Sequence, residues 1–185
     1  DGTKKLLLKM GDGELVETVV IPVFGKGGNG ERETVRLTQC VSTQVGCAMG
    51  CAFCASGSKG LVRSLRSDEI VAEVMAARKY GTLTNLVVMG MGEPFANYDE
   101  TMRALRLINA GRGPNLGARH ITLSTCGVVP GFSRLANEGL QFELSVSLHA
   151  PDDELRNELM PINRRWPLAE LMAACREYTL KTKRI

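Results

Sequence analysis

The stretch Leu86-Val-Val-Met-Gly-Met-Gly-Glu-Pro94 decides the fold. Its first half is a short apolar run without the alternation of a half-exposed strand, the pattern of a strand buried on both faces in a parallel sheet. Its second half gives way to glycine, a carboxylate and proline, which end a strand in a loop of bare backbone. Residues 121–123 and, less strictly, 142–148 repeat the apolar run. Helical periodicity at 99–109, 132–137, 152–159 and 168–180 fills the spaces between and after them. A further helix over 67–80 is opened by Ser67-Asp-Glu69, carries Ile70, Val71, Val74 and Met75 on one apolar face, and is stopped by Gly81. Upstream, residues 6–10, 16–23 and 34–42 read as strands separated by Gly11-Asp-Gly13 and by the hairpin connection Gly25-Lys-Gly-Gly-Asn-Gly30. Counting the strand at 34–42, four β/α units are visible and the last helix points towards a fifth. The expectation is an α/β chain: a partial barrel, with residues 1–32 as a small N-terminal β extension and residues 33–185 as its incomplete core.

A chain of 185 residues buries roughly 70% of its unfolded surface and needs no staples to hold a core. Its six cysteines, with no apolar leader ahead of them, point to a reducing cytoplasmic setting and a metal or redox role rather than a disulfide framework. No apolar run is long enough to cross a membrane. The net charge of +3 is weakly compatible with an acidic partner such as RNA and decides nothing alone. The chain opens at Asp1 without an initiator methionine and closes on Lys181-Thr-Lys-Arg-Ile185, which reads as a fragment.

Chemistry concentrates in Gly46-Cys-Ala-Met-Gly-Cys-Ala-Phe-Cys-Ala55. Structural zinc and most ferredoxin-type clusters take four protein ligands, so the three thiolates of Cys47, Cys51 and Cys54 are one short. A cluster held by three leaves one iron open to a substrate. The bland alternative is a zinc site completed by Cys40 or Cys126. The other strand ends carry Gly90-Met-Gly-Glu-Pro94, Ser124-Thr-Cys-Gly127 and Ser145-Val-Ser-Leu-His-Ala150. Glu93 among bare carbonyls suits an ammonium group, while Ser124, Ser147 and His149 suit a carboxylate or a ribose. Together they imply a zwitterionic ligand that carries a sugar. Taken singly, Cys40 reads as a small buried hydrophobe, His149 as structural and Glu17 as a solvated strand carboxylate.

The Cys47-x3-Cys51-x2-Cys54 spacing with Phe53 resembles the radical S-adenosylmethionine signature, in which three cysteines hold a [4Fe-4S] cluster and the cofactor chelates the fourth iron. With Cys40-Val-Ser-Thr-Gln-Val-Gly-Cys47, Leu123-Ser-Thr-Cys-Gly-Val-Val-Pro130, Ser147-Leu-His-Ala-Pro151 and Met160-Pro-Ile-Asn163, nearly the whole chain is similar to the dual-specificity adenosine methyltransferases of 23S ribosomal RNA and transfer RNA. The resemblance implies a (βα)6-type barrel, here cut after about four units. It also implies a reaction in which one cofactor molecule methylates a cysteine and a second yields a deoxyadenosyl radical that activates this methyl for addition to adenine. It assigns Glu17 to proton removal from the modified carbon and Cys40 to resolving a protein-RNA crosslink by disulfide formation. Gly92, Glu93, Ser124, Ser147, Leu148 and His149 match cofactor contacts. The glycine loop leans towards carbon 2 of adenine over carbon 8. A flavodoxin or ferredoxin as electron donor, a monomeric state and no membrane partner complete the implied setting.

Two departures stand out. Cys126 occupies a position where the family commonly has a second serine, and no residue matches the methyl-carrying cysteine, Cys175 lying in a helical stretch outside the motif. The expectation is therefore a chain that holds cluster and cofactor but does not methylate RNA unaided. The family's N-terminal helical domain, too, has no match. Rival readings are another radical enzyme, an activase or sulfur-inserting one, and a zinc-containing RNA-binding module. Arg112, Arg119, Arg164 and Arg165 with Trp166 are candidates for RNA contact, plain solvation being the bland alternative.

Overall fold

The computed structural model describes residues 1–26, 28, 30–58 and 60–183. The glycine connection at 25–30 includes Gly27 and Asn29, which lie outside the described residues. The strands are β1 (Lys4–Lys9), β2 (Leu15–Lys26), β3 (Arg32–Cys40), β4 (Gln44–Gly46), β5 (Leu61–Ser64), β6 (Asn85–Val88), β7 (Ile121–Thr125) and β8 (Glu143–Val146). The helices are α1 (Ser67–Ala77), α2 (Tyr98–Asn109), α3 (Pro130–Ala136), α4 (Asp153–Leu159) and α5 (Leu168–Thr182). One sheet runs β1-β2-β3-β6-β7-β8. β3, β6, β7 and β8 are parallel neighbours, the four expected β/α units, while β1 and β2 continue the same sheet in antiparallel pairing. This is part of a (βα)6-type barrel carrying a β extension at its front.

The apolar runs are buried as expected: Leu86 and Val88 of β6, Ile121 and Leu123 of β7 and Leu144 of β8 share a core with Leu105 and Ile108 of α2, Phe132 and Leu135 of α3, and Leu171 and Tyr178 of α5. Phe132 sits at its centre, edge-on to Phe95 and Tyr178 with ring centroids 5.7 and 6.3 Å apart. A second cluster joins Val16, Val45, Leu65, Ile70 and Ala104 under the N-terminal strands.

Four local readings are corrected. α1 ends at Ala77, residues 78–80 forming a 3-10 turn, and its N-terminus is capped by Glu69, whose carboxylate accepts from Arg66 N at 2.9 Å, rather than by Ser67. Its buried face is Ile70, Glu73, Val74 and Ala77, with Met75 45% exposed. β8 stops at Val146, which frees residues 147–150 to form the rim of the sheet.

β4 and β5 form a separate two-stranded ribbon that brackets the cysteine loop. Gly46 makes this closure possible: it adopts φ +76°, and a Cβ there would lie 2.0 Å from Gly60 O, the oxygen that accepts from Cys47 N at 3.1 Å. Gly46→Ala should therefore lower the unfolding free energy by about 2–4 kcal/mol, from backbone strain plus the lost contact. Urea denaturation with an unchanged midpoint would refute that.

Glu73 is fully buried, its two oxygens facing Ser42 N at 3.1 and 3.3 Å, with no cation paired to it among the described residues. Burial pushes its carboxyl well above the ordinary 4.5. From pH 4.5 upward the native state keeps a proton that the unfolded chain has released, so this group's contribution to stability falls as pH rises towards the folded value. Glu73→Gln removes the proton exchange. Its unfolding free energy relative to the parent should climb between pH 5 and pH 8, by at most about 1.4 kcal/mol per pH unit; a constant difference would contradict the assignment.

Candidate active site

Parallel strands end on one rim, and the residues that follow β6, β7 and β8 meet the cysteine loop there. The loop is held at both ends by the ribbon and in its middle by α4, since Ala52 N donates to Leu159 O at 2.9 Å. Cys54 N donates to Cys51 O at 3.0 Å, and a 3-10 turn at Ala55–Gly57 follows. The result is a cleft of about 340 Å3 lined by Cys47, Cys51 and Cys54 together with Gly92, Glu93, Ser124, Ser147 and His149. Eight of the sequence-predicted residues, from four separate segments, thus face one space.

Glu93 is the buried carboxylate of this cleft, 3% exposed. One oxygen accepts from Phe95 N at 2.9 Å and the other from Cys126 N at 2.8 Å, which fixes the group at the N-terminus of a 3-10 turn, Pro94–Asn97. Burial pushes its carboxyl up in spite of these donors. The Cys126 thiol and the Thr125 hydroxyl add to these partners, and a bound cation would restore full ionisation. Gly92 (φ +97°) could carry no side chain, a Cβ falling 2.5 Å from that of Gln44, so its backbone stays bare. Cys126 is buried against Glu93, and burial with this neighbour drives its thiol up.

At the opposite wall His149 adopts φ +60°, a conformation rare outside glycine, and its ring meets that of Phe53 at a tilt of 53° with centroids 4.5 Å apart. A strained residue held against an aromatic at a strand end is the kind of feature that sites retain. Cys47 and Cys51 are half-buried, and desolvation first raises both thiols, with the charges of Glu93 and Cys54 adding at Cys47 and those of Cys47 and Cys54 at Cys51.

Three predicted residues lie outside the lining. Leu148 turns away into a groove with Leu168 and Met172, and only its carbonyl, accepting from Arg156 Nε at 3.1 Å, supports the rim. Glu17 on β2 is about half-exposed and pairs with Lys5 at 2.9 Å. Cys40 ends β3, half-buried, its thiol raised by burial, with Met89 of the cleft wall as a backbone partner. Because β2 is antiparallel to β3, with Val19 opposite Cys40, Glu17 also comes to the rim: Ser42 Oγ donates to Glu17 O at 2.7 Å. Sequence reasoning missed Met49, Thr125 and Met160 in the lining and Arg156 beneath it. Only Asn163, in the quoted Met160-Pro-Ile-Asn163 motif, signalled the last, for its Oδ1 accepts from Arg156 Nη1.

The donor set fits an iron-sulfur cluster. It is all thiol, three-membered and open on the side of Glu93. Among the described residues no three His, Cys, Asp or Glu side chains come together as a seat for a single metal ion. A cubane asks for something else, each thiolate bonding a different iron around a cluster-sized gap.

The pattern of the radical SAM superfamily matches residues 41–185. A probable dual-specificity RNA methyltransferase RlmN from Thermoanaerobacter sp. (strain X514) is 51% identical over 185 residues, covering 100% of this chain and 51% of the relative. One from Chloroflexus aurantiacus is 52% identical over 192 residues, covering 98% and 48%. A crystal structure of a radical SAM methyltransferase from Sphaerobacter thermophilus superposes with a TM-score of 0.90 at 50% identity, covering 98% of this chain and 52% of that one. The chain spans about half the length of the curated relatives it matches. Since the matched region takes in the cysteine loop, the three parallel strands after it and the last helix, the chain belongs to the radical SAM superfamily.

Proposed function

We propose that the chain is the cluster- and cofactor-binding part of an enzyme that methylates an adenine carbon, carbon 2 in preference to carbon 8, in 23S ribosomal RNA and also in transfer RNA. One observation carries this reading: the three cysteines and Gly92, Glu93, Ser124, Ser147 and His149 line a single cleft. In it Cys47, Cys51 and Cys54 would hold a [4Fe-4S] cluster, and Glu93 the ammonium group of S-adenosylmethionine. Bound there, the cluster supplies the electron for reductive cleavage of the cofactor.

The protein's own part is placement and proton control. Burial keeps the Cys47 and Cys51 thiols protonated until iron binds, so loading releases protons at these sulfurs. Ser124 and Ser147 offer hydroxyls on adjacent strands, β7 and the end of β8, for the ribose or carboxylate. Phe53 and His149 form one wall of the cleft. Glu17, on the rim and exposed to an incoming RNA, would remove the proton from the modified carbon, and Cys40, two positions from Ser42 on the adjoining strand, would resolve the RNA crosslink. Residues 1–32 act as an extension of the core of residues 33–185, bringing Glu17 to it. The methyl-carrying cysteine matches none of these 185 residues, so this chain alone should not methylate RNA. A soluble monomer taking electrons from a flavodoxin or ferredoxin in the cytoplasm completes the proposal; among the described residues no helix is long and apolar enough to cross a membrane.

The test uses the full protein that carries this chain. Cys40→Ala should abolish adenine methylation, at least 100-fold, and accumulate a covalent protein-RNA adduct while deoxyadenosine release persists; the parent should yield 2-methyladenosine by nucleoside mass spectrometry. Full methylation by the variant, or 8-methyladenosine from the parent, would overturn the corresponding part of the proposal.

A further inference from the structure

Arg156 has the largest side chain among those almost wholly buried in the structure, at 1% exposure. Its guanidinium spends its donors on neutral acceptors: Nη2 on Cys126 O at 2.8 Å and Ser147 O at 3.2 Å, Nε on Leu148 O at 3.1 Å, and Nη1 on Asn163 Oδ1. None of these is a carboxylate. The nearest acid in the network, Asp153, is exposed, makes no ion pair with Arg156 among the described residues, and is hydrogen-bonded to it only by way of Asn163, whose Nδ2 donates to Asp153 Oδ1 at 2.8 Å. A buried cation without a charged partner is normally destabilising, and its retention calls for a compensating role.

Its position supplies one. The acceptors are the residues that end β7 and begin the β8 rim, and Cys126 and Ser147 both line the cleft. The same helix closes on the cysteine loop, Leu159 O accepting from Ala52 N and Met160 N donating to Arg156 O at 2.7 Å. Arg156 therefore lies under the floor between the thiol donors and the strand ends. Its charge faces Cys126 and Cys51 across that floor, and Asp153 one turn back on its own helix.

Building on the cluster reading above, we propose that Arg156 is a positioning residue for the rim of β7 and β8, and that its unpaired charge raises the reduction potential of the cluster on Cys47, Cys51 and Cys54. Accepting one electron adds a negative charge to a cluster already ligated by three thiolates. A fixed cation in a medium of low dielectric stabilises that reduced state over the oxidised one. Guanidinium suits the task because it stays protonated when buried and its fork spans two strand ends at once.

The experiment is an anaerobic redox titration of the reconstituted protein with dithionite, the reduced cluster followed by electron paramagnetic resonance, beside Arg156→Met and Arg156→Lys. The methionine variant, at matched iron content, should titrate at a more negative midpoint potential, and the lysine variant close to the parent. A methionine variant with the parent's potential would overturn the proposal and leave Arg156 a packing residue that alters only the melting temperature. Should the methionine variant hold no cluster, Arg156→Gln, which removes the charge but keeps an amide donor for the strand-end carbonyls, decides in its place: a more negative potential upholds the charge effect, and the parent's potential refutes it. A parent protein that assembles no cluster would instead remove the reading on which the inference rests.

Discussion

Parallel pairing of β3, β6, β7 and β8 is the constraint on which the rest depends, because it obliges all four carboxyl ends to finish on the same rim. Each return crossing is made by a helix or loop on the way back, so the residues just after each strand are the ones left free to face a ligand. The cysteine loop, the Gly90 to Pro94 segment and the segments after Thr125 and Val146 are brought together by this geometry. Antiparallel addition of β2 works to the same end in reverse, delivering the start of that strand, with Glu17, to the edge of the same rim.

Beyond the ladder, buried polar side chains tie the strand ends to one another. Ser42 donates to Glu17 O and accepts from Met91 N at 2.9 Å, joining the second strand to the glycine loop. Gln44 Oε1 accepts from Glu93 N at 3.0 Å, and Asn97 Nδ2 donates to Thr43 O and Leu65 O, both at 2.8 Å. Each such bond adds only about 0.5–1.5 kcal/mol net, yet losing one partner strands a buried group at about 1–3 kcal/mol. The asymmetry favours a single arrangement of the rim over looser ones, which is what a site that must seat a cluster and a zwitterion together requires.

The sequence disclosed what its chemistry repeats or concentrates. Residues 86–88 and 121–123 were legible as buried strands because an apolar run has few alternatives, and the cysteine spacing was legible because three thiols in eight residues seldom arise from packing. β4 and β5 were not: at three and four residues, with Arg63 in one of them, they show no periodicity and exist through closure around Gly46. Glu73 and Arg156 were invisible for a related reason. On α1 and α4 they look like solvent-facing charges, and only the neighbours brought in by tertiary packing, Ser42 for one and the strand-end carbonyls for the other, make them interior groups. Leu148 shows the converse failure, a motif residue whose backbone serves the rim while its side chain faces another groove.

The central claim is that three thiolates and one open face assemble a cluster able to cleave S-adenosylmethionine. Anaerobic reconstitution with iron and sulfide, scored for iron content and for deoxyadenosine released under reductant, tests it most directly, with Cys51→Ala as the control. About four irons per chain with cofactor cleavage, both lost in the control, is the predicted result. One tightly held zinc, kept through the procedure, with no cleavage, would contradict the account.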